Sequence, residues 1–98
     1  MTVEKLSFLQ DLEKVIRDRL ANPSQESYTS SLVAMGPKRV AQKVGEEGVE
    51  LALAAVSESR DEILDEAADL LYHILVLLSS QQLSLSDVVD VLETRHTG

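Results

Sequence analysis

Apolar residues recur at helical spacing along most of the chain, and no segment shows the alternation that a strand requires. Leu6, Leu9, Ile16 and Leu20, with Leu12 beside them, share one face of residues 3–21, while charged residues fill the other. This predicts an amphipathic helix with Thr2 as its N-cap. Pro23 ends it, and the polar, Ser-rich stretch 22–31 reads as a loop. A short helical piece follows at about 29–35. Gly36-Pro37 then marks a helix start, because proline lacks an N–H where the first turn has no acceptor for one. The run 38–56 that follows holds no breaker stronger than Gly45 and Gly48. Ser59-Arg60-Asp61-Glu62 predicts a capping box, with Ser59 as N-cap and Glu62 reaching back, opening a helix that ends near Ser80. Ser84-Leu85-Ser86-Asp87 starts a last short helix through Val88, Val89 and Leu92. The expected fold is all-α, a helical bundle of four to five helices in one domain spanning residues 1–98.

Length narrows this further. A chain of 98 residues builds one small core and buries only about two-thirds of the surface that its unfolded form exposes. Phe8, Tyr28 and Tyr72 are the only aromatic residues, so the core is aliphatic, which suits helices better than sheets. The helix after Ser59 carries Leu70, Leu71, Ile74, Leu75, Leu77 and Leu78, which point in more directions than one small chain can cover. A homodimer that completes the bundle is therefore expected.

A formal net charge of −8 disfavours binding to a nucleic-acid backbone, which requires basic surface. It also means that phosphates would be handled through metal ions. The absence of cysteine excludes disulfides and thiolate metal sites and fits a cytoplasmic setting. Met1-Thr2-Val3-Glu4-Lys5 opens no apolar run, so no leader is expected. The longest apolar stretch, 67–78, is interrupted by Asp69 and His73 and is too short to span a membrane.

The chemistry lies where carboxylates interrupt apolar faces. At about 100° per residue, Lys43, Glu47, Glu50 and Ala54 share one face of the third helix, and Glu66, Asp69 and His73 share a face of the next. Glu66 and Asp69 stand among Ala67, Ala68, Leu70 and Leu71, which predicts that they are the more buried pair. A carboxylate withdrawn from water must be neutralised, paired or bound to a metal. The nearby cations, Lys38, Arg39, Lys43 and Arg60, are too few for that many acids. If the two helices form an antiparallel hairpin, the pairs face each other and make a site for a hard cation, Mg²⁺ or Mn²⁺. The plainer reading of one acidic pair alone is a solvated face. His73 reads as a hydrogen-bonded core residue, Glu62 as a capping residue, and Glu46 as a surface charge or a ligand at the rim.

Lys43-Val44-Gly45-Glu46-Glu47-Gly48-Val49-Glu50 and Glu66-Ala67-Ala68-Asp69-Leu70-Leu71-Tyr72-His73, with Ser27-Tyr28-Thr29 upstream, resemble phosphoribosyl-ATP pyrophosphohydrolase of histidine biosynthesis. That family belongs to the all-α NTP pyrophosphohydrolase superfamily of MazG type, marked by E-x-x-E followed by E-x-x-D. The resemblance runs from about Ser27 to Leu78. It implies magnesium-dependent hydrolysis of phosphoribosyl-ATP to phosphoribosyl-AMP and pyrophosphate, the second step of L-histidine biosynthesis, by a helical homodimer. It makes Glu47, Glu50, Glu66 and Asp69 the metal ligands, with Glu46 as a fifth acidic contributor. Some members are fused to the cyclohydrolase of the next step; a chain of this length is expected to be the free-standing form. Gly48 stands where many relatives carry Ala, which loosens the helix by about 1 kcal/mol without changing the acidic spacing.

In such a reaction Glu46 and Glu47 are the candidates for accepting the proton of the attacking water. Lys38, Arg39 and Lys43, just after a helix start that favours anions, are candidates for binding substrate phosphate. Ser27, Tyr28 and Thr29 could donate to ribose or phosphate, or simply cap the loop. Two rivals remain: a sister enzyme that acts on other NTPs or dNTPs such as dUTP, and a non-catalytic acidic module that dimerises. A carboxylate-bridged iron site would need two E-x-x-H motifs, and only Glu93-Thr94-Arg95-His96 has that form.

Overall fold

The structure is a computed structural model and describes residues 2–57 and 59–97. The expected first helix divides at Ser7 into α1 (Thr2–Leu6) and α2 (Phe8–Ala21). The Ser7 hydroxyl donates to the Glu4 carbonyl at 2.5 Å, the local competition that makes serine a weak residue inside helices. Thr2 is the first residue of α1 rather than the residue before it, a difference of one position. α2 stops before Pro23, where the Asn22 N–H bonds to the Asp18 carbonyl at 2.8 Å. α3 (Tyr28–Ala34) is capped by Ser27, whose Oγ accepts the Ser30 N–H at 3.2 Å. Buried Ser30 ties this loop down: its hydroxyl donates to the Arg19 carbonyl at 3.0 Å and accepts the Ser24 N–H at 3.2 Å.

Gly36, at φ +100°, turns the chain into α4 (Pro37–Ser57), a conformation that side chains with a Cβ rarely adopt. α5 (Arg60–Ser80) starts on Ser59, which accepts the Glu62 N–H at 3.4 Å. The expected capping box is only half formed, because Ser57 takes the other half. Its hydroxyl, which donates to the Ala54 carbonyl at 2.6 Å, also lies 3.1 Å from Glu62 Oε2 and accepts the Ser59 N–H at 3.4 Å. The complete box is at α6 (Leu85–His96), where the Ser84 N–H donates to Asp87 Oδ2 at 2.9 Å and the Asp87 N–H to Ser84 Oγ at 3.2 Å. The described residues are helical apart from turns and connections, so the fold is all-α.

α4 and α5 form the dominant hairpin, and α2 and α3 pack on one end of it. The core is Ile16, Leu32, Val40, Leu75 and Val76, with Leu9, Leu12, Leu20, Val33, Tyr72, Leu77 and Leu85 packed around it. α6 leaves α5 at 105°, has no buried residue of its own, and no helix is long and apolar enough to cross a membrane among the described residues. The buried positions of α4 are Val40, Glu47 and Ala54, seven residues apart, so a carboxylate sits midway along an apolar seam.

Two expectations about burial are corrected. Glu47, at 6% exposure, is the most covered of the four acids, whereas Glu66 is half-buried and Asp69 and Glu50 are exposed. The core contacts of α5 with α2 and α3 gather toward its second half, at Leu75 and Val76, so the apolar composition around Glu66 and Asp69 leaves Glu66 half-buried and Asp69 exposed. Leu70, Leu71, Ile74, Leu77 and Leu78 are half-buried and Leu75 is fully buried, so one chain covers them more than expected. The uncovered apolar residues here are Val49, Leu53 and Val56 on one face of α4, with Leu64 on α5.

Candidate functional site

The α4–α5 hairpin brings acids from both helices to one place. One carboxylate oxygen each from Glu47, Glu66 and Asp69 lie within 4.8 Å of one another. Glu50, one turn along α4, completes the group from the side. A hydrogen bond it can share with Glu66, and next the charge of Glu47, push its carboxyl above the usual carboxylate range. Glu50 and Glu66 also line an open cavity of about 270 Å³ with Leu53, Ala54 and Glu62. Glu62 therefore stands at the edge of the site as well as at the start of α5. Its capping position, the stronger local signal, hid that placement in the sequence.

The site carries more negative charge than its cations answer. Lys43 Nζ lies 3.2 Å from Glu47 Oε1, and a hydrogen bond to that carboxylate is the main cause that raises the Lys43 ammonium above its ordinary range, against the opposing effect of burial. Glu47 Oε2 and Glu66 Oε2 are buried and have no hydrogen-bond partner. An orphaned buried carboxylate oxygen is costly, and two of them facing a third acid are the arrangement a cation relieves. The donors are all anionic oxygens, which matches a hard divalent ion such as Mg²⁺ or Mn²⁺.

The remaining candidates fall into two groups. Glu46 lies on the exposed side of α4, where Gln42 Nε2 donates to it at 2.9 Å and Arg39 and Lys43 pair with it at 3.6 and 3.8 Å. Arg39 is thus drawn toward Glu46, and Lys38 is exposed in the first turn of α4. Of the three basic residues, Lys43 is the one that touches the acidic cluster.

Behind the cluster, α3 and α5 share a polar network. The imidazole of buried His73 reaches back to the Asp69 carbonyl through Nδ1 at 2.7 Å and meets the Tyr28 hydroxyl through Nε2 at 2.8 Å. A carbonyl can only accept, so in the neutral ring Nδ1–H donates to it and Nε2 accepts from Tyr28. The Thr29 hydroxyl pairs with the Tyr72 hydroxyl. Tyr28 and Thr29 therefore serve as side-chain partners of α5, whereas Ser27 is the cap. The helical spacing of Asp69 and His73 hinted at the first of these contacts, and nothing local signalled the pairing with α3.

A family model described as phosphoribosyl-ATP pyrophosphohydrolase matches residues 9–96. The chain is 55% identical over 91 residues to the histidine biosynthesis bifunctional protein HisIE of Photobacterium profundum, covering 93% of this chain and 44% of that protein. The protein of the same description from Xylella fastidiosa is 54% identical over 89 residues, covering 91% of this chain and 43% of its own length. That from Salmonella typhimurium is 53% identical over 89 residues, covering 91% and 44%. The chain thus spans less than half the length of these relatives.

Proposed function

The chain belongs to the phosphoribosyl-ATP pyrophosphohydrolase family, and on that premise we propose that it hydrolyses phosphoribosyl-ATP to phosphoribosyl-AMP and pyrophosphate, the second step of L-histidine biosynthesis. The observation that carries this reading is the pair of orphaned buried oxygens, Glu47 Oε2 and Glu66 Oε2, beside Asp69. Glu47, Glu66 and Asp69 would hold magnesium, or manganese in its place, with Glu50 as a fourth ligand. When bound, the metal supplies a Lewis acid that neutralises the charge gathering on the phosphoryl oxygens and on the departing pyrophosphate.

The protein's own groups divide the remaining work. α4 and α5 hold the carboxylates on rigid helices, so the site needs little reorganisation. Lys43, kept charged by Glu47, presents an ammonium at the rim of the cluster where a phosphate would approach. Cleavage between the α and β phosphates uses water as nucleophile, and the water's proton must pass to a base. Of the two candidates, Glu47 stands in the cluster, where the attacking water would lie, while Glu46 lies outside it on the exposed side of α4, which favours Glu47.

The functional unit on this reading is a homodimer. The isolated chain exposes 7144 Å², against about 5,500 Å² expected for a folded monomer of 10.8 kDa. Its radius of gyration is 14.6 Å, against about 13 Å for a compact domain of 100 residues. The stripe Val49, Leu53 and Val56 supports α4 as the face a second copy covers, and Leu53 links that stripe to the acidic cavity.

The test is pyrophosphate release by purified protein, with and without Mg²⁺, from phosphoribosyl-ATP and from a panel of NTPs and dNTPs. Metal-dependent release with preference for phosphoribosyl-ATP is expected. Preference for another nucleotide would replace the substrate, and no release from any of them would sink the reading.

A further inference from the structure

Tyr28 combines features that the reaction as described leaves unused. Its hydroxyl is engaged by buried His73 at 2.8 Å, yet the residue as a whole remains 50% exposed. Aromatic neighbours hold the ring in place. His73 stands edge-on to it at 5.7 Å between centroids, and Tyr72 lies tilted at 6.3 Å. The other nitrogen of His73 is bonded to the carbonyl of Asp69, a residue of the acidic cluster. Tyr28 is therefore tied to the α5 backbone at Asp69, one of the acids of the cluster. It also lies within electrostatic range of Lys43, the basic residue that touches the cluster.

A surface aromatic usually keeps its hydroxyl in water and its ring against the protein. Here the hydroxyl is held inside while much of the residue is open to solvent, beside a cluster suited to metal and phosphate. We propose that Tyr28 is a substrate-contacting residue whose open ring face stacks against the planar base of the nucleotide, with His73 as the positioning residue that locks the ring relative to Asp69. This rests on the reading of the site as a nucleotide site and adds how the base would be recognised. Stacking needs a rigid flat surface with few rotatable bonds, and the Tyr28–His73–Asp69 chain supplies the rigidity.

The experiment separates base from phosphate and binding from hydrolysis. AMP, which carries a base and no anhydride, and ribose 5-phosphate, which carries no base, are titrated calorimetrically in Mg²⁺ into wild type, Tyr28→Phe and Tyr28→Leu. Tyr28→Leu should weaken AMP about tenfold, the scale of one base–aromatic stack, and leave ribose 5-phosphate unchanged. Tyr28→Phe keeps the ring but loses the bond to His73 that locks it, and for AMP it should fall between wild type and Tyr28→Leu. In the hydrolysis assay the Tyr28→Leu loss should appear in KM rather than kcat, a split that a general loosening of the fold would not produce.

AMP binding that is absent in wild type or equal in wild type and Tyr28→Leu overturns the proposal. So does a parallel loss of ribose 5-phosphate affinity, which would make Tyr28 a support of the acidic cluster instead. Loss of the dimer in Tyr28→Leu with AMP affinity intact would assign the ring to the subunit interface and equally overturn it. Failure of pyrophosphate release in wild type with the AMP result as expected would remove the hydrolytic reading and leave the base platform standing.

Discussion

Glu13 on α2 accepts the backbone N–H of Leu85 at 2.7 Å, joining the first long helix to the first residue of the last. Glu13 is 8% exposed, and Arg17 lies 3.7 Å away on its outer side. The bond satisfies one of the unpartnered N–H groups of α6 and sets a negative side chain at the positive end of its dipole. Removing it by Glu13→Ala should destabilise the fold by about 2 kcal/mol, read as a lower urea midpoint. Glu13→Gln retains an acceptor oxygen and should lose less than half as much. Equal losses in the two variants would mean that packing, not the hydrogen bond, holds α6.

The acidic cluster makes a paired prediction. Glu47→Gln and Asp69→Asn should each lower pyrophosphate release on the order of 100-fold or more, the scale on which removal of one charge-stabilising group registers. Helical circular dichroism should be unchanged. Mg²⁺ should raise the melting temperature of wild type and do so far less in either variant, because a ligand bound only by the folded state stabilises it. Full activity in both variants would remove the metal-site argument.

Glu50 gives the site a pH signature in the absence of metal. Its folded-state pKa is raised by Glu66 and Glu47 above the ordinary 4.5 of a free glutamate. The native state therefore holds a proton that the unfolded chain releases, and this contribution to stability is present below pH 4.5 and lost as pH rises through the folded pKa. In chelator, the melting temperature of wild type should fall relative to Glu50→Gln across that window. With Mg²⁺ present the difference should shrink or reverse, since the ionised carboxylate then has a partner. Parallel melting curves for the two proteins at every pH would contradict the shared-proton account.

The dimer prediction turns on a residue with no role inside one chain. Val56 is 81% exposed, so Val56→Glu should leave a monomer's stability within about 0.5 kcal/mol if nothing covers it. If α4 is the dimer face, the substitution buries a charge and dissociates the pair. Sedimentation at micromolar concentration should then give twice the 10.8 kDa chain mass for wild type and the single mass for the variant. A monomeric wild type would end the dimer reading.

Local chemistry was enough to locate the main helices, because capping serines, Pro23 and Pro37 act within a few residues of themselves. It also sufficed to place Glu47 with Glu50, and Glu66 with Asp69, on common faces, since helical periodicity is a property of the backbone. Burial was different. It depends on which helices arrive on either side, so α5 looked buried from its composition, while its core contacts gather toward its second half and leave Asp69 exposed. The heptad seam of Val40, Glu47 and Ala54 becomes a seam only when α5 lies against it, and that contact is what leaves two carboxylate oxygens without partners. The links from Glu13 to Leu85 and from Tyr28 to His73 span 72 and 45 residues. No periodicity within a helix encodes them; they exist because packing of the apolar faces brings distant polar groups within hydrogen-bonding range.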